Sequence, residues 1–226
     1  MPHRWLPITL LSLLAIGLIA GIVSISIGEK GPNSIQISGI EEVQALIGGI
    51  RQLDDRLGDE DAPVTMTLFQ DVQCPECADF QAEVVDPLIE ERVRTGEAQI
   101  NFKNFPLGLK PVTLGAIAVE AAAEQDRGWQ YAELFMRNLD EAPEAGVDQE
   151  FLDVVASVTP KLDTAAWEEA VAGPEAVASA QEDVDLATEL EYTADPVIVV
   201  DGIGGSETLE GKPTLEEVEA AIERVG

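Results

Sequence analysis

Histidine is almost missing from this 226-residue chain: the one copy is His3, close to the N-terminus. Everything after it must therefore work without imidazole, which excludes a Ser-His-Asp triad, a Cys-His dyad or a His-ligated metal centre there. Cysteine is nearly as scarce. Two residues, Cys74 and Cys77, cannot build a multi-bridge disulfide framework. Positive charge is sparse as well, with 13 Lys and Arg against 43 Asp and Glu, a net charge of −30 and a pI of about 4.1. Nucleic-acid binding needs clustered cations to neutralise phosphates, so that class is excluded. Disorder is excluded by the 46% of hydrophobic residues, enough to fill a core.

Charge is absent altogether from Leu6 to Gly28. A helix over this run spans roughly 34 Å at about 1.5 Å per residue, enough to cross a hydrocarbon layer of about 30 Å. Arg4 and the α-amino group favour an N-terminus inside, with Trp5 at the interface. The expected organisation is a cytoplasmic tail at 1–5, a transmembrane anchor at 6–28 and the remainder outside the cytoplasm. The competing reading is a cleaved signal peptide, for which Ser24-Ile25-Ser26 offers small residues; the run exceeds the usual apolar core of about 7–15 residues. Residues 29–226 carry 12 basic and 43 acidic residues, a net −31, spread without one long block. The simplest reading is a solvated acidic surface suited to high salt, where screening shortens repulsion to about 3 Å at 1 M.

Residues 29–39 read as a linker. Ile40, Val43, Leu46, Ile47, Ile50, Leu53 and Leu57 recur at helical spacing, so an amphipathic helix is expected over 40–57, weakened by Gly48-Gly49. Strands are expected at Val64–Phe69, Gln99–Phe105 and Pro196–Asp201, with Glu207–Glu210 as a hairpin partner for the last. A helix kinked at Pro87 follows Cys77. Turn signals at Asp126-Arg127-Gly128, Ala142-Pro143, Thr159-Pro160 and Gly173-Pro174 divide an Ala-rich block into about five helices. Thr214-Leu-Glu-Glu217 is a capping box opening a final helix over 215–225. Trp129, Trp167, Phe135 and Phe151 are expected in the core. Glu124, Asp126 and Asp148 match no Ca²⁺-loop spacing.

Cys74-Pro75-Glu76-Cys77 stands where a strand gives way to a helix. Free N–H groups and the positive dipole end at such a helix start stabilise a thiolate. Pro75 suits a first helical turn because its missing N–H would have no partner there. Cysteines at i and i+3 can close a disulfide across that turn, with the first exposed as nucleophile and the second more buried as resolving thiol. Zinc is disfavoured, since about four ligands are needed and no metal site is expected from two Cys without His. A structural disulfide is disfavoured because so short a loop removes little chain entropy. An inert pair on a degenerate fold stays open.

The stretch from Val64 through Gln73-Cys74-Pro75-Glu76-Cys77-Ala-Asp-Phe80 resembles the DsbA-like thioredoxin-fold oxidoreductases, in particular their membrane-anchored or secreted members. The likeness continues through Asn101-Phe-Lys-Asn-Phe-Pro-Leu107, through a helical block over 108–190, and through Ala194-Asp195-Pro196-Val-Ile-Val-Val-Asp-Gly202. The resemblance covers about 58–226 and implies an α/β thioredoxin fold with an inserted helical subdomain. Residues 29–57 lie outside it. It implies protein-disulfide oxidoreductase activity with Cys74 attacking and Cys77 resolving, and no cofactor beyond that redox pair. Pro196 would be the cis-proline beside the disulfide, where its missing N–H leaves room for an extended substrate strand; an ordinary strand start is the alternative. Implied partners are protein thiols or disulfides and a membrane or small-thiol redox partner. Two departures stand out: Asp195 stands where Thr or Val is common, and Pro75-Glu76 where strongly oxidising members often carry Pro-His. Glu76 and Asp195 are therefore expected to place negative charge near the Cys74 thiolate and weaken the protein as an oxidant, unless both point into solvent. Competing functions are a peptide-binding or scaffold module with a vestigial CxxC, and a reductase dedicated to one pathway such as cytochrome maturation.

Overall fold

The computed structural model describes residues 35–106 and 112–226. The tail at 1–5, the anchor expected at 6–28 and the first part of the linker lie outside these residues. Among the described residues, no helix is long and apolar enough to cross a membrane.

The chain enters along residues 35–39, held at Ser38, whose backbone N–H donates to Asn138 Oδ1 at 2.8 Å. Helix α1 (Ile40–Ile47) buries Val43 and Ile47. It ends there, so the helix expected over 40–57 is cut short. Gly48 closes it and Gly49 takes φ 85°, a region that favours glycine. Two consecutive glycines cost a continued helix roughly 1 kcal/mol each. Instead β1 (Gln52–Leu53) and β2 (Arg56–Leu57) form a hairpin turning at Asp54-Asp55, with Asp54 at φ 53°. Leu57 reaches the core at 0% exposure, from a strand and not from a helix face. The segment 35–57 is thus built into the same compact unit as the domain it precedes, which runs from Ile35 to Gly226.

β3 (Val64–Gln70) alternates inward Val64, Met66 and Leu68 with Thr65 and Thr67, whose branched side chains suit a pleated surface. A long helical segment follows: α2 (Pro75–Phe80), a π turn (Gln81–Val85), α3 (Asp86–Leu88) and a second π turn (Ile89–Val93). Pro87 sits in α3 with a π turn on each side. Widened turns accommodate the missing donor and the ring without ending the helix. This segment is the crossover that lets β4 (Ala98–Asn104) pair parallel to β3.

The helical block contains the five helices expected: α4 (Leu114–Ala123), α5 (Gly128–Arg137), α6 (Gln149–Val158), α7 (Thr164–Ala172) and α8 (Pro174–Glu189). Thr113, Asp148 and Asp163 cap α4, α6 and α7 through their side-chain oxygens. Trp129, Trp167, Phe135 and Phe151 fill the core at 1% exposure or less. The chain closes with β5 (Val197–Gly202), β6 (Gly205–Glu210) and α9 (Leu215–Val225), the last opened by the capping box of Thr214 and Glu217. The sheet order is β1-β2-β4-β3-β5-β6, and among the described residues only β3 and β4 pair in parallel. α8 packs on β4, while α9 packs on β5 and β6 and touches the first π turn and α3, further along the segment that α2 opens.

Candidate active site

β3 leads into the site at its C-terminal end. Asp71 Oδ1 accepts the N–H of Gln73 at 2.9 Å, and the Asp71 carbonyl accepts the N–H of Cys74 at 3.1 Å, so the connection is a tight Asx turn. Gln73 Oε1 accepts the N–H of Gly115 at 2.8 Å, fastening the turn to the first residues of α4. A Cβ on Gly115 would come within 2.9 Å of Gln73 Oε1 and of Val72, so this approach requires glycine.

Cys74 caps α2: its Sγ accepts the N–H of Cys77 at 3.1 Å, with Pro75 in the first turn. Cys74 and Cys77 are joined as a disulfide, with Cα atoms 5.2 Å apart. Cys74 is half-buried and Cys77 is 0% exposed. This is the asymmetry expected of an attacking and a resolving sulfur. The Asp195–Pro196 peptide bond is cis, as the resemblance implied. Pairing of β5 with β3 and β6 begins at Val197, leaving Asp195 and Pro196 just beyond the ladder. Phe69, Phe105, Ala187 and Val197 form a small apolar cluster beside this junction, with Tyr192 edge-on to Phe69 at 5.1 Å.

The two acidic departures part company. The Glu76 side chain is 75% exposed, with an oxygen 3.8 Å from Lys212 Nζ. Asp195 turns inward. Its Oδ1 lies 3.3 Å from Cys77 Sγ. Both sulfurs and the carboxylate oxygen fall within 4.8 Å of one another. Joined as a disulfide, the sulfurs have no thiolate to offer a soft cation. Burial, and then repulsion from Asp71, push the Asp195 carboxyl up to about 7. Glu124, Asp126 and Asp148 do not converge: Asp126 Oδ1 accepts from the N–H of Asp54, and Asp148 caps α6.

A buried polar chain below the site was not foreseen. Gln70, 0% exposed at the end of β3, donates to Gln81 Oε1 at 2.7 Å, and Gln81 donates to Glu133 Oε1 at 2.5 Å. Arg137 then donates to Glu133 and to Asp86. Burial raises both carboxyls; the Asp86 charge raises Glu133 further, while Arg137 and the hydrogen bond with Glu133 draw Asp86 back down. The readable signal was a Gln closing an apolar strand.

The thioredoxin family model matches residues 53–224. A probable disulfide bond formation protein D from Bacillus anthracis is 32% identical over 149 residues, covering 65% of this chain and 69% of that protein. The disulfide bond formation protein D of Bacillus subtilis (strain 168) is 24% identical over 170 residues, covering 74% and 75%. Among solved structures, Wolbachia pipientis alpha-DsbA1 superimposes with a TM-score of 0.66 at 20% identity, covering 76% of this chain and 90% of that one. Oxidised BdbD from Bacillus subtilis gives a TM-score of 0.63 at 22% identity, covering 77% and 96%. With the CxxC disulfide at a strand-to-helix junction and a cis-proline beside it, the chain belongs to the thioredoxin family as a DsbA-like thiol–disulfide oxidoreductase.

Proposed function

We propose that this oxidoreductase works outside the cytoplasm as an oxidant that introduces disulfides into exported proteins, tethered by its apolar run at 6–28 with the N-terminus inside. The observation that carries the reading is the closed Cys74–Cys77 pair, reachable at Cys74 alone. A substrate thiolate attacks Cys74 Sγ, the internal S–S bond breaks and Cys77 leaves. A second substrate thiolate then attacks the substrate sulfur of the mixed disulfide, and Cys74 departs as the thiolate. The substrate has lost two electrons and the Cys74–Cys77 pair has gained them. No prosthetic group is required, because the redox pair holds both electrons. A membrane protein or a small disulfide must then reoxidise the pair. The backbone just ahead of Val197 stands outside the sheet ladder, and Pro196 offers no N–H to compete, so an extended substrate segment can align there.

Names of the Bacillus relatives, disulfide bond formation proteins, favour this direction over the dedicated reductase. The burial contrast between the two sulfurs favours it over a scaffold with an inert pair. The test is trapping in cells. Cys77→Ser should accumulate mixed disulfides through Cys74, resolved on non-reducing gels, and Cys74→Ala should accumulate none and lose function. Full function in the Cys74→Ala strain would sink the redox reading.

A further inference from the structure

We propose that Asp195 exchanges the proton of the buried sulfur: its carboxyl protonates Cys77 as the disulfide opens and takes the proton back when Cys77 re-attacks. This rests on the resolving role given to Cys77 above. Cys77 is 0% exposed, so solvent cannot deliver a proton to it directly. A thiolate left there in apolar surroundings is disfavoured, and every opening of the disulfide creates one. Asp195 Oδ1 stands 3.3 Å from that sulfur. Disulfide sulfurs carry no hydrogen, so this contact becomes a hydrogen bond only when the carboxyl holds the proton and its O–H donates to Sγ. In the oxidised state the protonated fraction of the acid is thus already aimed at the sulfur.

The surroundings tune it for both directions. From the β3–α2 connection, Asp71 donates its backbone N–H to Asp195 while its carboxylate repels it. From α2, Asp195 faces Cys74 and Cys77. Glu76 and Lys212 face each other on the exposed rim. The balance leaves Asp195 with a pKa of about 7, where both its forms are populated at neutral pH, as a group that gives and retrieves a proton requires.

The step balances as follows. An external thiolate attacks Cys74 Sγ, the Cys74–Cys77 bond breaks, and its electron pair goes to Cys77 Sγ, which takes the Asp195 proton. The products are a mixed disulfide at Cys74, a Cys77 thiol and an Asp195 carboxylate. In reverse the carboxylate removes the thiol proton, Cys77 attacks Cys74 Sγ and the external thiolate leaves.

The test is the rate of reduction of the oxidised full chain by glutathione, per concentration of glutathione thiolate, from pH 5.5 to 8.5. In the wild type this rate should fall about tenfold per pH unit above a midpoint near 7, since only the protonated acid assists. Asp195→Asn, uncharged throughout, should give a flat profile. Asp71→Asn keeps the acid but removes its repulsion, so the fall should persist with its midpoint at lower pH. A purely structural Asp195 would move neither profile. A flat wild-type profile, a wild-type fall retained in Asp195→Asn, or an unmoved midpoint in Asp71→Asn would each overturn the proposal, the last even if Asp195→Asn does not fold. Reduced Cys77→Ser treated with oxidised glutathione separates the two levels. A stable adduct at Cys74 upholds the resolving role of Cys77 whatever Asp195 does, and its absence overturns that role and the proposal with it.

Discussion

Two acidic side chains one residue away from the reacting groups, Glu76 inside the CxxC and Asp195 before Pro196, share one chemistry and differ in consequence. Glu76 points into solvent with Lys212 alongside, where water and salt dampen its field. Asp195 lies within 4.8 Å of both sulfurs, partly out of water. At an effective dielectric constant of about 20, a unit charge at that distance is worth roughly 3 kcal/mol, and a carboxyl with a pKa of about 7 carries half of it at neutral pH. Negative charge there disfavours a thiolate and so destabilises the reduced form. The reduction potential of the full chain should accordingly be more negative than the roughly −120 mV of the strongest oxidant in this group. Because about 30 mV corresponds to 1.4 kcal/mol, Asp195→Asn should raise the potential by roughly 20–40 mV, while Glu76→Gln should move it by less than about 10 mV. Equilibration with glutathione buffers measures both. Equal shifts for the two variants would show that burial does not distinguish them.

The elements that carry the site are written in local signals: a β-branched strand, a proline opening the next helix, a capping box before the last. Each depends on residues within one turn of one another, which is why their limits could be read almost to the residue. The 40–57 segment obeys a different rule. Leu53 and Leu57 keep helical spacing after Ile47, yet Leu53 is 40% exposed on β1 and Leu57 is fully buried on β2. What decides between the two outcomes is the partner: Leu57 lies across from Ile100 of β4, and Trp129 Nε1 donates to the Asp55 carbonyl at 2.7 Å. Such contacts join residues far apart in the chain, so spacing alone cannot register them. The same holds at the site, where Cys77 and Asp195 are brought together across 118 positions. Cysteine identity and order gave away the chemistry, whereas the direction of each acidic side chain is a property of the assembled packing. If the hairpin is integral to the sheet, Leu57→Ala should cost about 2–5 kcal/mol in urea unfolding, as for other fully buried leucines. Leu53→Ala, half in water, should cost less than about 1 kcal/mol. Comparable small losses for both would return the segment to a loosely attached helix.

Across the whole molecule, the net charge of −30 is joined by a set of carboxyls that the fold makes harder to ionise. Glu120 is held at about 7 by burial and by Asp183, although Asn104 and Ser179 both donate to it. Burial also raises Asp183, Asp86 and Glu133, and Asp195 stands at about 7. Unfolding releases these groups to ordinary values near 4, so between about pH 4 and 8, the upper end set by Glu133, the folded chain binds protons that the unfolded chain does not. Stability must then fall as pH rises through that window and stay low above it. Surface repulsion acts in the same direction, but salt separates the two, since exposed charges are screened within about 3 Å at 1 M and buried groups much less. The oxidised full chain should therefore melt at a higher temperature at pH 5 than at pH 8. Adding 1 M NaCl should raise the melting temperature at both pH values while leaving most of the difference. Glu120→Gln keeps an amide able to meet Asn104 and Ser179 but has no proton to lose. At 1.36 kcal/mol per pKa unit it should recover at most about 3 kcal/mol at pH 8, and each kcal/mol is worth about 2–4 °C in a chain of this size. Scanning calorimetry of wild type and Glu120→Gln at the two pH values decides it: a pH difference unchanged by the substitution, or one abolished by salt, would place the effect on the acidic surface and not in the interior.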